Sequence, residues 1–228
     1  MIDTIFRDPG IPDGEKSVYT VGVADQPPTL DLVSVIGHDG DGYRSIVQAG
    51  SGDGTFTITV EQRFQRAGDR IRAANYRAET RSGATVVSRE EADFLGTSHL
   101  QFGGGVAPFP TDLMPLAGGL TLLRGLDFTE GVEEDIALWL AFSVHIPLSA
   151  KVEQRTVVDV PAGRIDCWQI RLRPRLSGLN SVLEKMLGGF LPPAVAHVEA
   201  APPHRVVRFG FPTGPMPWDP RGLMELVT

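Results

Sequence analysis

"FTITVEQRF", residues 56–64, decides the fold class. Phe56, Ile58, Val60 and Phe64 fall on one side of an extended chain, and Thr57, Thr59, Glu61 and Arg63 fall on the other. A period of two is the mark of a half-buried β-strand. Turn signals surround it: "HDGDG" at 38–42, "GSGDG" at 50–54, "AGD" at 67–69 and "RSG" at 81–83. Short Gly/Asp turns between extended runs predict an antiparallel meander from residue 17 to about 95. "RIRAANYRAETR" has helix-forming composition. Its alternation of Ala74, Tyr76 and Ala78 against Asn75, Arg77 and Glu79 reads as another strand.

The pattern changes after residue 100. "GGGVAPFP" reads as a loop, and Thr111 can cap a helix over 112–124, where Leu113, Leu116, Ala117, Leu120 and Leu123 recur at helical spacing. Gly118 and Gly119 weaken that helix by about 1 kcal/mol each relative to alanine, so packing must hold it. Strands resume in "DIALWLAFSVHI", "AKVEQRTVVDV", "RIDCWQIRL", "VAHVEA" and "HRVVRFGF". Between them "SGLNSVLEKMLGGF" predicts an amphipathic helix over 178–190. Its polar face carries only Glu184 and Lys185, which suits a core helix better than a membrane-surface one. No linker divides the chain, so residues 1–228 are expected to form one domain.

Composition excludes several functions. The net charge is −7, which opposes binding to a phosphate backbone, so no nucleic acid partner is expected. Only Lys16, Lys151 and Lys185 are lysine among the 21 cations; the rest are arginine. No run approaches the roughly 18 apolar residues of a membrane-inserted helix. "MIDTIFRDPGIPDGEK" lacks the basic start and apolar stretch of a secretory leader, so a cytoplasmic protein is expected.

Catalytic signals are sparse. His38, His99, His145, His197 and His204 are not paired at ligand spacing and the one cysteine has no partner, so neither a metal site nor a cofactor is expected. There is no G-x-S-x-G elbow and no phosphate loop. Cys167 sits in "TVVDVPAGRIDCWQIRLRP", 156–174, where Pro161 to Gly163 suit a hairpin turn. In the second strand Trp168, Ile170 and Leu172 share one face, while Cys167, Gln169, Arg171 and Arg173 share the other. A reactive thiol needs a helix N-terminus or a nearby base. Neither adjoins Cys167 in sequence, and packing is the favoured reading. Glu90, Glu91 and Asp93 read as a charged edge that discourages aggregation.

"GEKSVYTVGV" at 14–23, "LMPLAGGLTLLRGLDF" at 113–128 and "RTVVDVPAGRIDCWQIRL" at 155–172 together resemble a bacterial family of largely exported β proteins. That family is distantly similar to the lipoprotein-localisation half-barrel group. The resemblance implies a mainly β (α+β) fold: a single curved antiparallel sheet, or open half-barrel, with two helices packed on its concave face. In carrier members the concavity accepts acyl chains. The function expected on this basis is non-catalytic binding of a lipid or other hydrophobic small molecule. Trp139, Phe142, Trp168 and Met186 would line the site, with Arg171 and Arg173 at its mouth. No catalytic residue is assigned. Two alternatives stand: an interaction module with a filled core, and a hydrolase or isomerase drawing on His145, His197, His204 or the 90–93 carboxylates.

Overall fold

The computed structural model describes residues 4–52, 54–100, 105–141, 144–175, 192–214, 216 and 218–228. Six strands follow one another as a meander: β1 (Glu15–Val23), β2 (Leu30–Asp39), β3 (Gly42–Gly50), β4 (Phe56–Ala67), β5 (Arg70–Ser82) and β6 (Thr85–Asp93). β4 contains the opening motif and β5 the ambiguous Ala/Arg segment. Each pairs antiparallel with the next, as the period-two pattern and the Gly/Asp turns require. A small ribbon of β7 (Ser98–Leu100) and β8 (Val106–Pro108) leads into β9 (Leu113–Pro115). The second half supplies β10 (Glu133–Ala141), β11 (Val144–Val160), β12 (Gly163–Pro174), β13 (Ala194–Glu199), β14 (Val206–Pro212) and β15 (Arg221–Leu226).

These join in one thirteen-stranded sheet of order β6-β5-β4-β3-β2-β1-β15-β14-β13-β12-β11-β10-β9. The seam is β1 against β15, with Tyr19 opposite Leu226 and Val23 opposite Gly222, so the two chain ends complete the middle of the sheet. All pairings are antiparallel except the short parallel contact of β9 with β10. Among the described residues β6 and β9 are the end strands of this sheet and do not pair with each other.

This architecture corrects the expected half-barrel with two helices. The β content stands, but the sheet is open, without the closure or curl of a half-barrel. Among the described residues there is one helix, a single 3-10 segment at Gly119–Gly125. The helix expected over 112–124 is instead strand, turn and 3-10 segment. Leu113 and Met114 are held as strand by Ala137 and Leu138 of β10, beside which they lie in register. Gly118 then takes φ 85, a left-handed conformation that ends regular structure and suits glycine. Its neighbour Gly119 lies so close to Pro115 and Met114 that a Cβ there would meet them at 2.9–3.0 Å. Leu113 and Leu123 are buried as expected, one in the strand and one in the 3-10 segment, whereas Leu116 and Ala117 are exposed and Leu120 is half-buried. The other expected helix, 178–190, lies outside the described residues.

The middle of β10, residues 136–139, is covered on both faces, which explains the apolar run there. Leu138 turns to the same side as Leu148 of β11, while Trp139 turns away from it. The Trp139 ring is 1% exposed and meets Tyr76 at 4.8 Å and Phe94 at 5.2 Å between centroids, both edge-on. Phe94 in turn meets Phe109 at 5.1 Å. Before β1, Phe6 and Ile11 are buried, and Arg7 N–H donates to the Gly125 carbonyl at 2.7 Å, tying the start of the chain to the 3-10 segment.

Candidate functional site

Between one face of the sheet and the 114–124 segment lies a cavity of about 560 Å³. Alternate residues of successive strands supply its walls: Tyr19 and Val21 of β1, Leu32 of β2, Val47 and Ala49 of β3, Ile58 and Val60 of β4, Phe209 and Phe211 of β14, and Met224 of β15. Leu138, Leu140, Leu148, Leu172 and Ala194 come from β10 to β13, and Met114, Leu116 and Leu120 lie across them. The period of two that makes these strands half-buried thus also makes the cavity apolar.

Among the described lining residues, polar side chains cluster at one end. Ser17 of β1 stands directly opposite Ser34 of β2, and Glu15 lies two residues before Ser17, opposite Ile36. Thr121 and Arg124 of the 3-10 segment complete the group. Arg124 is 3% exposed. Its Nη1 and Nη2 donate to Glu15 Oε1 and Oε2 at 2.6 and 2.9 Å, and its Nε donates to the Pro203 carbonyl at 2.8 Å. This geometry pairs three of the five guanidinium N–H groups and compensates the charge. Tyr19 OH donates to the Val206 carbonyl at 3.0 Å, and burial pushes its phenol up to about 12. The described residues at the other end are apolar, and among them Leu140 is 39% and Leu116 47% exposed.

None of the four described residues expected at the site lines this cavity. Trp139 points away from it. Trp168 stacks on Phe128 at 6.4 Å and lies under the Arg155 guanidinium at 5.6 Å. Arg171 lies on the face opposite Leu172, with its Nε 2.6 Å from Glu153 Oε1, and Arg173 shares that exposed face. Phe142 and Met186 lie outside the described residues. The strand parity read from the sequence holds, with Leu172 facing in and Arg171 facing out, but the cavity belongs to the leucine side. Glu15 and Arg124 escaped notice because 109 positions separate them. A signal existed, since Arg124 is the single charge in "LMPLAGGLTLLRGL".

Cys167 is fully buried between Val158 and Val207 on the far face, and burial pushes its thiol up to about 12. It packs, and it is not poised as a thiolate. Glu91 lies at 3.4 Å from Arg77 on the exposed β6 edge, away from the cavity. Among the described residues no group of His, Cys, Asp or Glu is placed to hold a metal ion. Nor is any helix among them long and apolar enough to cross a membrane.

His197 of β13 is also on the far face, beside Gln169 and Arg208 in register, with its Nδ1 unpartnered. Burial, helped by the Arg208 charge, lowers its pKa from 6.5 to about 4. Between those values the unfolded chain takes up a proton that the folded chain refuses. The stability tied to neutral His197 is therefore complete above about pH 6.5. It falls as pH drops towards 4, by on the order of 2 kcal/mol once the full shift is discounted for the ring's partial contact with solvent. Thermal unfolding compared at pH 7 and pH 5 should show this loss, and His197→Gln should remove most of it. An unchanged pH profile in the variant would contradict the assignment.

No family model matches the chain, and no curated protein matches it in sequence. Among solved structures it is similar to a protein from Bacteroides fragilis described as exported with a YmcC-like fold, at 10% identity and a TM-score of 0.35 over 98% of each chain. It is also similar to one from Parabacteroides distasonis described as a lipoprotein, at 9% identity and a TM-score of 0.41 over 98% of this chain and 96% of that one. The chain thus has a distant structural similarity to other bacterial β-sheet proteins. Those two descriptions run against the cytoplasmic location expected from the first residues of the sequence, and that expectation is withdrawn.

Proposed function

We propose that the chain is one domain that binds an apolar, chain-bearing small molecule in the cavity beside the 3-10 segment, without transforming it. The observation that carries this reading is the cavity itself: about 560 Å³, walled almost wholly by aliphatic and aromatic side chains. Small-molecule sites typically have volumes of about 300–1,000 Å³, apolar walls and a few placed polar groups. Among the described residues its ionisable lining groups are Glu15, Tyr19 and Arg124. The first and last are locked to each other, and Tyr19 is held protonated at neutral pH. A general base must be free to take up a proton; here the Glu15 carboxylate is engaged by Arg124 through both oxygens. That favours binding over catalysis.

Ala49→Trp tests the reading. Ala49 lines the apolar wall opposite Ile58, so an indole there fills space that a ligand chain would occupy. Wild type should take up a long-chain monoacylglycerol at one to one in a calorimetric titration, and the variant should lose that binding at least about tenfold. Its unfolding midpoint should stay close to wild type, because the ring enters a void rather than a packed core. Equal binding by the two proteins would sink the proposal.

A further inference from the structure

The polar end of the cavity specifies the ligand's head. We infer that this end accepts a neutral hydrogen-bonding group, such as a hydroxyl or ester, and discriminates against an ionised carboxylate. The inference rests on the binding function proposed above. Glu15, Ser17, Ser34, Thr121 and Arg124 converge at one end because Ser17 faces Ser34 across β1–β2 and the 3-10 segment brings Thr121 and Arg124 over them. An amphiphile therefore enters with its head towards Glu15 and its chain towards Phe211 and the exposed Leu140.

Charge decides which head fits. An arginine alone at the end of an apolar cavity would select a carboxylate through a forked ion pair. Here Glu15 already occupies that fork, with both carboxylate oxygens on the two Nη atoms. The pair is neutral as a unit. A ligand carboxylate arriving beside it would either remain buried without a cation or displace Glu15, leaving that side chain unpaired in turn. Both outcomes carry the cost of an uncompensated buried charge. A hydroxyl or ester carbonyl has no such cost. Ser17, Ser34 and Thr121 provide hydroxyls that can donate to it or accept from it.

The test compares ligands with one sixteen-carbon chain and different heads: hexadecanol, monopalmitoylglycerol and palmitate. Each competes with a neutral polarity-sensitive dye on the full chain, with free ligand measured, at pH 8. The alcohol and the monoacylglycerol should bind at least about tenfold more tightly than palmitate. The gap should narrow at pH 5, as palmitate begins to protonate. Glu15→Gln, which frees the Arg124 fork, should raise relative palmitate affinity. The wild-type comparison decides the matter even where this variant does not fold. Palmitate binding as tightly as the neutral ligands, or more tightly, would overturn this inference and leave the binding function standing. Binding of none of the three would overturn both.

Discussion

Arg124→Ala is expected to destabilise the protein by about 3–5 kcal/mol, measured as the change in unfolding free energy in urea. The guanidinium is 3% exposed and makes three charge-assisted hydrogen bonds, two to Glu15 and one to the Pro203 carbonyl. Truncation leaves the Glu15 carboxylate, itself 15% exposed, without its cation next to an apolar cavity. The loss reflects the stranded partner more than the net worth of the pair. Removing both partners, as in Arg124→Leu with Glu15→Leu, should therefore recover much of the stability. A loss below about 1 kcal/mol for the single variant would show that water reaches this end freely. The neutral-head argument would then lose its basis.

Trp139→Ala should cost a similar amount, about 3–5 kcal/mol, by opening a void in the core. The ring is among the largest fully buried side chains, and its edge-on contacts with Tyr76 and Phe94 join β10 to β5 and to the end of β6. Because it faces away from the cavity, the surviving folded protein should keep its ligand affinity. Stability and binding would then separate at this position, whereas at Ala49 the reverse separation is expected. A variant that remained stable but lost ligand would place the indole on the cavity wall and contradict the packing described.

Much of the sheet was legible because strand parity is local information. Residues 56–64 alternate visibly, and so do 163–174; β4 and β12 follow those patterns. The order of the strands was not legible. The seam of β1 with β15 joins residues about 200 positions apart, and no local pattern encodes such a pairing. The 112–124 segment was misread because Leu113, Leu116, Leu120 and Leu123 satisfy a helical spacing, while Gly118 and Gly119 decide against a continuous helix. The candidate site suffered most. Aromatic size pointed to Trp139 and Trp168, yet the cavity is walled by smaller residues, Leu138, Leu172 and Ala49, which leave room. Arg171 and Arg173 drew notice as a row of charge. The arginine that reaches the cavity is the isolated one, Arg124, and its partner Glu15 is visible only in three dimensions.

The most direct measurement is native mass spectrometry of the intact chain, as isolated and after incubation with a panel of neutral single-chain lipids. A one-to-one adduct, retained in wild type and lost in Ala49→Trp, is the predicted result. A bare protein mass throughout the panel would contradict the account, showing that the cavity does not serve as a binding site for this class of molecule.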